Sequence, residues 1–259
     1  MYQKELVAML EAGKLAREKI LNIYHTDFNV EIKDDNSPVT LADKAADEII
    51  SSYLKERFPE YGFLTEESID NEERLNKDFC FIVDPVDGTK DFVAKNDEFA
   101  TNIALAYKGE IVVGVILIPA KGDIYYALKN QGAYHIYPDG QVKQIHVNCK
   151  SDNLTLLTSR FHSTEFEKNL PILDKRIAKV CCYGSSIKAC MIAEGKAEIH
   201  YRKGAGTKEW DIAPIDLLVQ EAGGYFVKFD GSRYTYNKKD VYNHDGYVIT
   251  NRLENIYKE

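Results

Sequence analysis

The stretch "FIVDPVDGTKDF", residues 81–92, decides how this chain is interpreted. Its first three residues are apolar, as in a buried strand, and two carboxylates follow, Asp84 and Asp87. Pro85 fixes a backbone angle between them, so the turn is stiff and both side chains can face one small volume. Two carboxylates that share a site repel each other unless a cation lies between them. Oxygen ligands of this kind suit Mg²⁺, so the stretch predicts a magnesium site at the end of a strand.

The residues that follow the carboxylates are suited to an anionic ligand. Gly88 allows the backbone to approach a ligand closely. If a helical turn begins near Lys90, its free N–H groups can hold a phosphate. Thr89 adds a hydroxyl that can orient a water molecule. These residues can therefore hold a phosphate group beside the metal site.

Three other interpretations of this motif must be weighed. An isolated DxxDG pattern is more often an ordinary aspartate-rich turn. A calcium loop of the EF-hand type that began at Asp84 would need a carboxylate at its twelfth position, where this chain has Lys95. Phosphatases with an aspartyl nucleophile, such as those of the haloacid dehalogenase family, carry DxDGT. Here Pro85 stands two residues before Asp87, so that nucleophile is missing.

Composition limits the possible partners. The chain has 259 residues, enough for one large domain or two intimate ones, and its 44% hydrophobic content is ordinary for a globular protein. Its net charge of −8 argues against general nucleic-acid binding, so local cations or metal must hold any anionic ligand. No apolar run approaches the roughly 18 residues of a membrane helix. Five cysteines without CxxC spacing indicate neither a disulfide framework nor a zinc site, and we expect a cytoplasmic protein.

Hydrophobic patterns predict an α+β half, residues 1–150, followed by an α/β half, residues 151–259. A helix opens the chain, and a second begins after Thr40 as its N-cap, with Asp43 at the capping-box position. Strands then dominate from about residue 79, including a hairpin with its turn at Lys108-Gly109. After residue 150, strands and helices alternate, as in a layered mixed fold.

Two further motifs accompany the first. "GFLTEES", residues 62–68, supplies Glu66, and "EWDIAP", residues 209–214, places Asp211 at a helix start. Taken alone, Asp211 would be interpreted as an N-cap. Together the three motifs resemble the signatures of the inositol monophosphatase-like superfamily of Mg²⁺-dependent, Li⁺-sensitive phosphatases. The resemblance runs in order from about Pro38 to Asn251.

This resemblance implies a layered αβαβα sugar-phosphatase fold with two or three Mg²⁺ ions. The implied metal ligands are the carboxylates and one backbone carbonyl of Glu66, Asp84, Val86, Asp87 and Asp211. Thr89, with Glu66, would orient the attacking water, and the backbone of Gly88 and Thr89 would contact the phosphate. Asp43 has two interpretations: a capping-box residue, or an acid near a third metal. No covalent phosphoenzyme is implied.

The second half of the chain bears on the substrate. "TSRFH" (158–162), "GSSIKAC" (184–190) and "HYR" (200–202) resemble segments of bisphosphate nucleotidases of the CysQ type. The resemblance implies that 3′-phosphoadenosine 5′-phosphate (PAP) is hydrolysed to AMP and phosphate. PAP carries a second phosphate that the metals cannot reach, so an acidic protein needs its own cations there. The candidate substrate-binding residues, besides Gly88, Thr89 and Asp211, are His162, Ser185, Lys188 and Arg202.

Alternatives stay open for these residues and for the function. His162 can be an ordinary loop histidine and Lys188 a solvated helix residue, while Arg160 and Lys203 are interpreted as solvated surface charges. The nucleotidases often carry an "FGPT"-like segment after the arginine, where this chain has "KGAGTKEWD", residues 203–211. An inositol-1-monophosphatase or broad sugar phosphatase is therefore the second enzyme hypothesis. A non-catalytic phosphate-ligand sensor is the third, and the resemblance allows a monomer or a homodimer.

Overall fold

The computed structural model describes residues 1–32 and 38–258. The helices are α1 (Gln3–Tyr24), α2 (Leu41–Arg57), α3 (Thr89–Val93), α4 (Glu165–Leu173), α5 (Ile187–Ala193) and α6 (Glu209–Glu221), with short 3₁₀ helices at Glu73–Asn76 and Leu253–Asn255. The strands are β1 (Val30–Ile32), β2 (Pro38–Thr40), β3 (Gly62–Thr65), β4 (Phe79–Asp87), β5 (Ala100–Tyr107), β6 (Glu110–Ile118), β7 (Asp123–Leu128), β8 (Gly132–Ile136), β9 (Val142–Ile145), β10 (Leu154–Ser159), β11 (Ile177–Tyr183), β12 (Ile199–Arg202), β13 (Thr207–Lys208), β14 (Tyr225–Val227), β15 (Tyr242–Asn243) and β16 (Tyr247–Thr250).

Two sheets dominate the molecule. The first has seven strands in the order β3-β4-β5-β6-β7-β8-β9; β3 is parallel to β4 and the other neighbours are antiparallel. The second has five strands in the order β11-β10-β12-β16-β14, and β10 is parallel to both of its neighbours. Two small pairs, β1–β2 and β13–β15, complete the described strands.

Helices and sheets alternate as layers. Helices α1 and α2 cover one face of the seven-stranded sheet, and α6 covers the other. Helices α5 and α6 also contact the five-stranded sheet, whose outer face carries α4. Side chains of successive strand residues point to opposite faces, so Leu157 packs toward α5 and α6 while Leu156 packs toward α4. The predicted αβαβα layering is confirmed.

Local sequence signals account for where key elements begin. Thr40 is the N-cap of α2, and the Asp43 carboxylate accepts a hydrogen bond from the Thr40 N–H at 2.8 Å, which confirms the capping box. The Lys108-Gly109 turn has both φ angles positive, 50° and 83°, as a two-residue hairpin with right-handed twist requires. Helix α6 is apolar on nearly all sides because a sheet lies on each side of it.

The two main sheets come from different parts of the chain. Strands of the seven-stranded sheet lie within residues 62–145, and those of the five-stranded sheet within residues 154–250. That residues 1–150 and 151–259 are two separate halves stays a prediction. Within the described ranges, every helix is too short or too polar to cross a bilayer.

Candidate active site

Three carboxylates converge where the end of β4 meets the start of α6. Asp84 lies near the end of β4, Asp87 is its last residue, and Asp211 is the third residue of α6. Each offers one oxygen atom, and these three oxygens lie within 4.8 Å of one another. The Asp84 side chain is buried, with 1% of its surface exposed. Asp211 accepts the N–H of Lys208 at 2.5 Å from the third helical position, so its interpretation as an N-cap is wrong.

An irregularity in β4 explains why Asp84 and Asp87 can share one site. Side chains three residues apart on a regular strand point to opposite faces. Here Asp84 pairs with Asn102 of β5 and Asp87 pairs with Ala100, so β4 carries one residue more than its partner over this interval. The extra residue is a β-bulge, which restores both carboxylates to one side. The Thr101 hydroxyl donates to the Pro85 carbonyl at 2.8 Å and holds the bulge in place.

The electrostatics of this cluster call for a cation. Burial, followed by the charges of Glu66, Asp87 and Asp211, raises the pKa of Asp84 well above its ordinary value. Burial, with the charges of Asp87 and Glu66, raises the pKa of Asp211 to about 8. Burial also raises the pKa of Asp87, although hydrogen bonds from Ser186 oppose this shift. Carboxylates crowded in this way gain a stable charge state from a bound divalent ion, so the residues present fit Mg²⁺.

The hydroxyl of Thr89 and the carboxylate of Asp43 lie beside the three clustered carboxylates. Thr89 begins α3 directly after Gly88, whose φ of 89° is in the left-handed region. The Thr89 Oγ1 atom lies 3.2 Å from Asp43 Oδ1 and 3.2 Å from the carbonyl oxygen of Val86. The other carboxylate oxygen of Asp43 accepts from the Thr40 N–H and hydroxyl at 2.8 and 2.7 Å. Asp43 thus caps α2 with one oxygen and faces Thr89 with the other, so its two interpretations are compatible.

These groups line one cavity of about 450 Å³. Eleven of the twelve site residues expected from the sequence lie on its walls: Glu66, Asp84, Val86, Asp87, Gly88, Thr89, His162, Ser185, Lys188, Arg202 and Asp211. Asp43 stands behind Thr89, outside the cavity lining. The fold therefore brings motifs from both ends of the chain to one place.

Comparison with known proteins identifies the family. The model of the inositol monophosphatase family matches residues 1–257. The chain belongs to this family.

Several members of the family are similar over most of their length. A 3′(2′),5′-bisphosphate nucleotidase CysQ from Buchnera aphidicola subsp. Acyrthosiphon pisum is 35% identical over 240 residues, covering 91% of this chain and 89% of that protein. The CysQ of Salmonella typhimurium is 31% identical over 248 residues, covering 95% and 99%. The crystal structure of CysQ from Bacteroides thetaiotaomicron, at 32% identity, superposes with a TM-score of 0.83 and covers 97% of this chain and 99% of that one. An IMPase from Thermotoga maritima, at 23% identity, shares the fold with a TM-score of 0.81, covering 97% and 92%.

In this family member, Lys188 is a buried lysine at the cavity wall. It lies in the first turn of α5 with 6% of its surface exposed, so its interpretation as a solvated helix residue is wrong. Its ammonium donates to the carbonyls of Ser185 and Tyr183 at 2.7 and 3.2 Å. An ammonium has three N–H donors, and one remains after these two bonds. Burial lowers the pKa of Lys188, and the charge of Asp87 opposes this shift.

The loop 159–162 and Arg202 form the neighbouring wall. Arg202 donates to the backbone carbonyl of His162 at 2.7 Å. Partial burial, followed by the charge of Arg202, lowers the pKa of His162 to about 4, so the ring is neutral at neutral pH even though it reaches solvent. The Ser185 hydroxyl oxygen is buried and has no hydrogen-bond partner in the described part of the protein.

Arg160 is exposed at the surface, as predicted, but its charge is paired with a carboxylate. Its guanidinium binds the Glu98 carboxylate, with Nη2 at 2.7 Å and Nε at 3.1 Å from the two oxygens. Glu98 also accepts the N–H of Gly184 at 2.7 Å. Arg160 therefore helps to hold the loop that leads into α5. The pairing joins residues 62 positions apart in the chain, which local sequence patterns do not report.

Sequence reasoning missed several residues at the site. The Ser186 N–H and hydroxyl both donate to Asp87 at 2.7 Å, and Asn102 donates to the same oxygen at 3.3 Å. Ser186 stands inside the quoted "GSSIKAC" segment and was available as a candidate. Asn102 becomes visible only when the pairing of β5 with β4 is known. Other cavity residues not anticipated include Phe161, Lys208, Trp210, Tyr242 and Tyr247.

Proposed function

We propose that this chain is a Mg²⁺-dependent phosphomonoesterase that hydrolyses PAP to AMP and phosphate. One observation carries the proposal: a cluster of carboxylates, of which Asp84 is buried, and the buried Lys188 line the same cavity. Carboxylates without a metal would repel any phosphate, and Lys188 with Arg202 offers positive charge on the remaining wall. The CysQ relatives, whose name states bisphosphate nucleotidase activity, support the same substrate class.

The metal would be held by the carboxylates of the cluster. Asp84, Asp87 and Asp211 are the proposed ligands, with Glu66 and the carbonyl of Val86 on the same cavity wall. We propose two or three ions, because this number of oxygen ligands exceeds what a single hydrated Mg²⁺ needs. When bound, Mg²⁺ supplies charge stabilisation to the phosphoryl oxygens and lowers the pKa of the attacking water.

The chain's own residues would position that water. A hydroxyl has a single proton, so Thr89 donates either to Asp43 or to the Val86 carbonyl and keeps a lone pair for water. The water would donate one hydrogen bond to Thr89 Oγ1 and the other to the Glu66 carboxylate, which can take up its proton. Its oxygen would attack phosphorus as the ester P–O bond breaks; the departing oxygen takes a proton from solvent to give the alcohol, and the proton lost by the attacking water leaves through Glu66. Ser186 and Asn102 keep Asp87 in one orientation throughout.

The part of the cavity lined by Lys188, Arg202 and Ser185 would select a second phosphate. The one remaining N–H of Lys188, the guanidinium of Arg202 and the unpartnered hydroxyl of Ser185 are the proposed donors. Charge-assisted hydrogen bonds to phosphate are stronger than neutral ones, and arginine matches phosphate geometry. PAP offers an anion to both walls, whereas a monophosphate offers one to the carboxylate wall alone.

A substrate panel tests the proposal. Phosphate release would be measured from PAP, inositol 1-phosphate and fructose 1,6-bisphosphate at equal concentration, with Mg²⁺ and with a chelator. We expect PAP to give the highest kcat/KM, chelator to abolish release, and millimolar Li⁺ to inhibit it. Release that persists in chelator would contradict the metal mechanism, and no release from any ester would support a ligand sensor.

One observation favours inositol 1-phosphate as the second candidate substrate. Two of the three Lys188 donors bind backbone carbonyls, so part of the positive wall is already satisfied. A substrate with one phosphate would require nothing more from it. A higher kcat/KM for inositol 1-phosphate than for PAP would establish this alternative.

All five cysteines are free thiols in the structure, which is in keeping with the cytoplasmic location we propose.

A further inference from the structure

Arg74 joins two distant segments of the chain, the loop after β3 and residues 237–238. It lies in the 3₁₀ helix after β3, and 2% of its surface is exposed. Its guanidinium grips Asp70 through Nε at 3.1 Å and Nη2 at 2.7 Å. The same group donates to Asn237 Oδ1 at 2.7 Å and to the Lys238 carbonyl at 2.9 Å. Asn237 Nδ2 donates back to the Arg74 carbonyl at 3.1 Å, which closes the contact.

The segment that Arg74 holds also binds the start of α6. Glu209, the first residue of α6, is fully buried and accepts the N–H groups of Asn237 and Lys238 at 2.7 and 2.9 Å. Its own N–H donates to the carbonyl of Val241 at 3.0 Å. Glu209 stands two residues before Asp211. The 237–241 segment is therefore an intermediate between Arg74 and the proposed metal ligand on α6.

The other side of Arg74 leads to Glu66. Asp70 is four residues after Glu66, in the loop that follows β3. The Arg74 backbone packs on that strand so closely that a Cβ on Gly62 would lie 2.9 Å from Arg74 Cα. The loop that begins at Glu66 is thus held between β3 and the Arg74 side chain.

We infer that Arg74 is a positioning residue that fixes the separation between Glu66 and Asp211. The inference rests on the proposed function, because it assigns both residues to the metal site. A guanidinium suits this task, since its planar donors hold a carboxylate, an amide and a carbonyl at fixed angles. Groups that orient metal ligands without touching the metal set its affinity, and Arg74 does so for two ligand-bearing segments at once.

Arg176 offers a control with the same bonding pattern as Arg74, although its side chain is 34% exposed and that of Arg74 is 1% exposed. Arg176 grips Asp174 through Nε at 2.9 Å and Nη2 at 2.7 Å. It also donates to the carbonyls of Glu254 and Asn255 at 2.8 and 3.3 Å. This is the same chemistry of one carboxylate and a distant chain segment, and neither Asp174 nor residues 254–255 adjoin a proposed metal ligand in the sequence. Replacing each arginine by lysine keeps the charge and removes the planar fork.

Metal binding to the substrate-free protein tests the inference. Mg²⁺ affinity would be measured by calorimetry for wild type, R74K and R176K. The fluorescence of Trp210, the single tryptophan and a cavity residue, would follow the same titration. We expect R74K to weaken Mg²⁺ binding by about tenfold, the lower end for residues that orient metal ligands. We expect R176K to stay within about twofold of wild type, even if both variants melt at lower temperature.

A second variant removes the contact from the other side. Asn237 has a φ of 57°, which glycine adopts without strain, so Asn237→Gly removes the amide that binds Arg74 and keeps the backbone. It should weaken Mg²⁺ binding in the same direction as R74K.

The outcomes separate this inference from the proposed function. If the wild type binds Mg²⁺ and both R74K and Asn237→Gly bind it with the same affinity, the positioning role of Arg74 is overturned and the metal site is not. An equal loss of affinity in R176K would also overturn it, because the effect would then follow general destabilisation. A wild-type protein that binds no Mg²⁺ would overturn the metal site and the inference together.

Discussion

The two walls of the cavity differ in how completely the protein satisfies their charges. The carboxylate wall, formed by Glu66, Asp84, Asp87 and Asp211, crowds like charges together and raises the pKa of Asp84 and Asp211. The cationic wall, formed by Lys188 and Arg202, directs several of its donors to the backbone carbonyls of Tyr183, Ser185 and His162. The carboxylates need a cation to balance their charge, whereas the donors of Lys188 and Arg202 already have some of their hydrogen-bond partners within the protein. Substitutions on the first wall should therefore have larger effects.

The largest effect is expected from Asp84→Asn. The change keeps the shape of the side chain and removes one ligand charge from the buried cluster. We expect kcat to fall by roughly 10² or more, because a bound metal contributes several kcal/mol to transition-state stabilisation. Asp78→Asn is the control: Asp78 precedes the other end of β4, and its exposed carboxylate pairs with Lys108. Activity of Asp84→Asn within twofold of wild type would exclude this residue as a ligand.

Thr89→Ala tests the group that would orient the water. The hydroxyl lies 3.2 Å from both Asp43 Oδ1 and the Val86 carbonyl, and its proposed role is in the chemical step. We expect kcat to fall by roughly tenfold or more while KM changes less, since interactions made mainly in the transition state act on kcat. Thr89→Ser should restore most of the activity. A change confined to KM would make Thr89 a substrate-binding residue instead.

Arg202→Gln and Lys188→Met compare two members of the cationic wall. A lost charge-assisted hydrogen bond costs about 1.5–3 kcal/mol, which is about one to two decades in kcat/KM. Arg202→Gln should lose that much on PAP and little on inositol 1-phosphate. Lys188→Met should lower activity on both, because Lys188 also binds the carbonyls of the turn that carries Ser186. If Arg202→Gln lowers kcat/KM equally on both substrates, Arg202 does not bind a second phosphate.

The smallest effect concerns the protonation of His162. Its pKa is lowered from 6.5 to about 4 by partial burial and neighbouring cations, so the folded protein binds this proton less readily than the unfolded chain. Its contribution to stability is therefore complete above pH 6.5 and is lost as the pH falls toward 4. Between pH 6 and 8, His162→Asn should leave the shape of the pH–activity profile unchanged. A ring titration midpoint near 6.5, measured by NMR, would contradict this assignment.

Patterns of neighbouring residues in the sequence predicted the carboxylate wall better than the cationic wall. The Thr40 cap, the Lys108-Gly109 turn and the Asp84 motif each depend on residues close together in the chain. The sequence could not show why Asp84 and Asp87 face the same way, because the bulge exists only through pairing with β5. The sequence predicted Lys188 as a site residue but did not decide whether its side chain is buried or exposed.

Contacts between remote segments account for the rest. Arg160 pairs with Glu98, and Arg74 with Asn237, across 62 and 163 positions of the chain. Both arginines look like ordinary surface charges in the sequence, and a single chain without its fold carries no signal of such partners. The predicted substrate-binding roles of His162, Ser185, Lys188 and Arg202 remain predictions, although the fold places all four on one cavity.

The position of α6 between the two sheets has a consequence for the newly synthesised chain. All strands of the seven-stranded sheet have been synthesised once residue 145 has left the ribosome. Helix α6, which covers the face of that sheet opposite α1 and α2, spans residues 209–221. At a translation rate of roughly 5–20 residues per second, the apolar side chains of this face stay exposed for several seconds before α6 has been synthesised. Ile82, Ala104 and Ile116 are among them. We expect chaperones that hold unfolded chains to bind nascent intermediates of this length and to release them after α6 emerges.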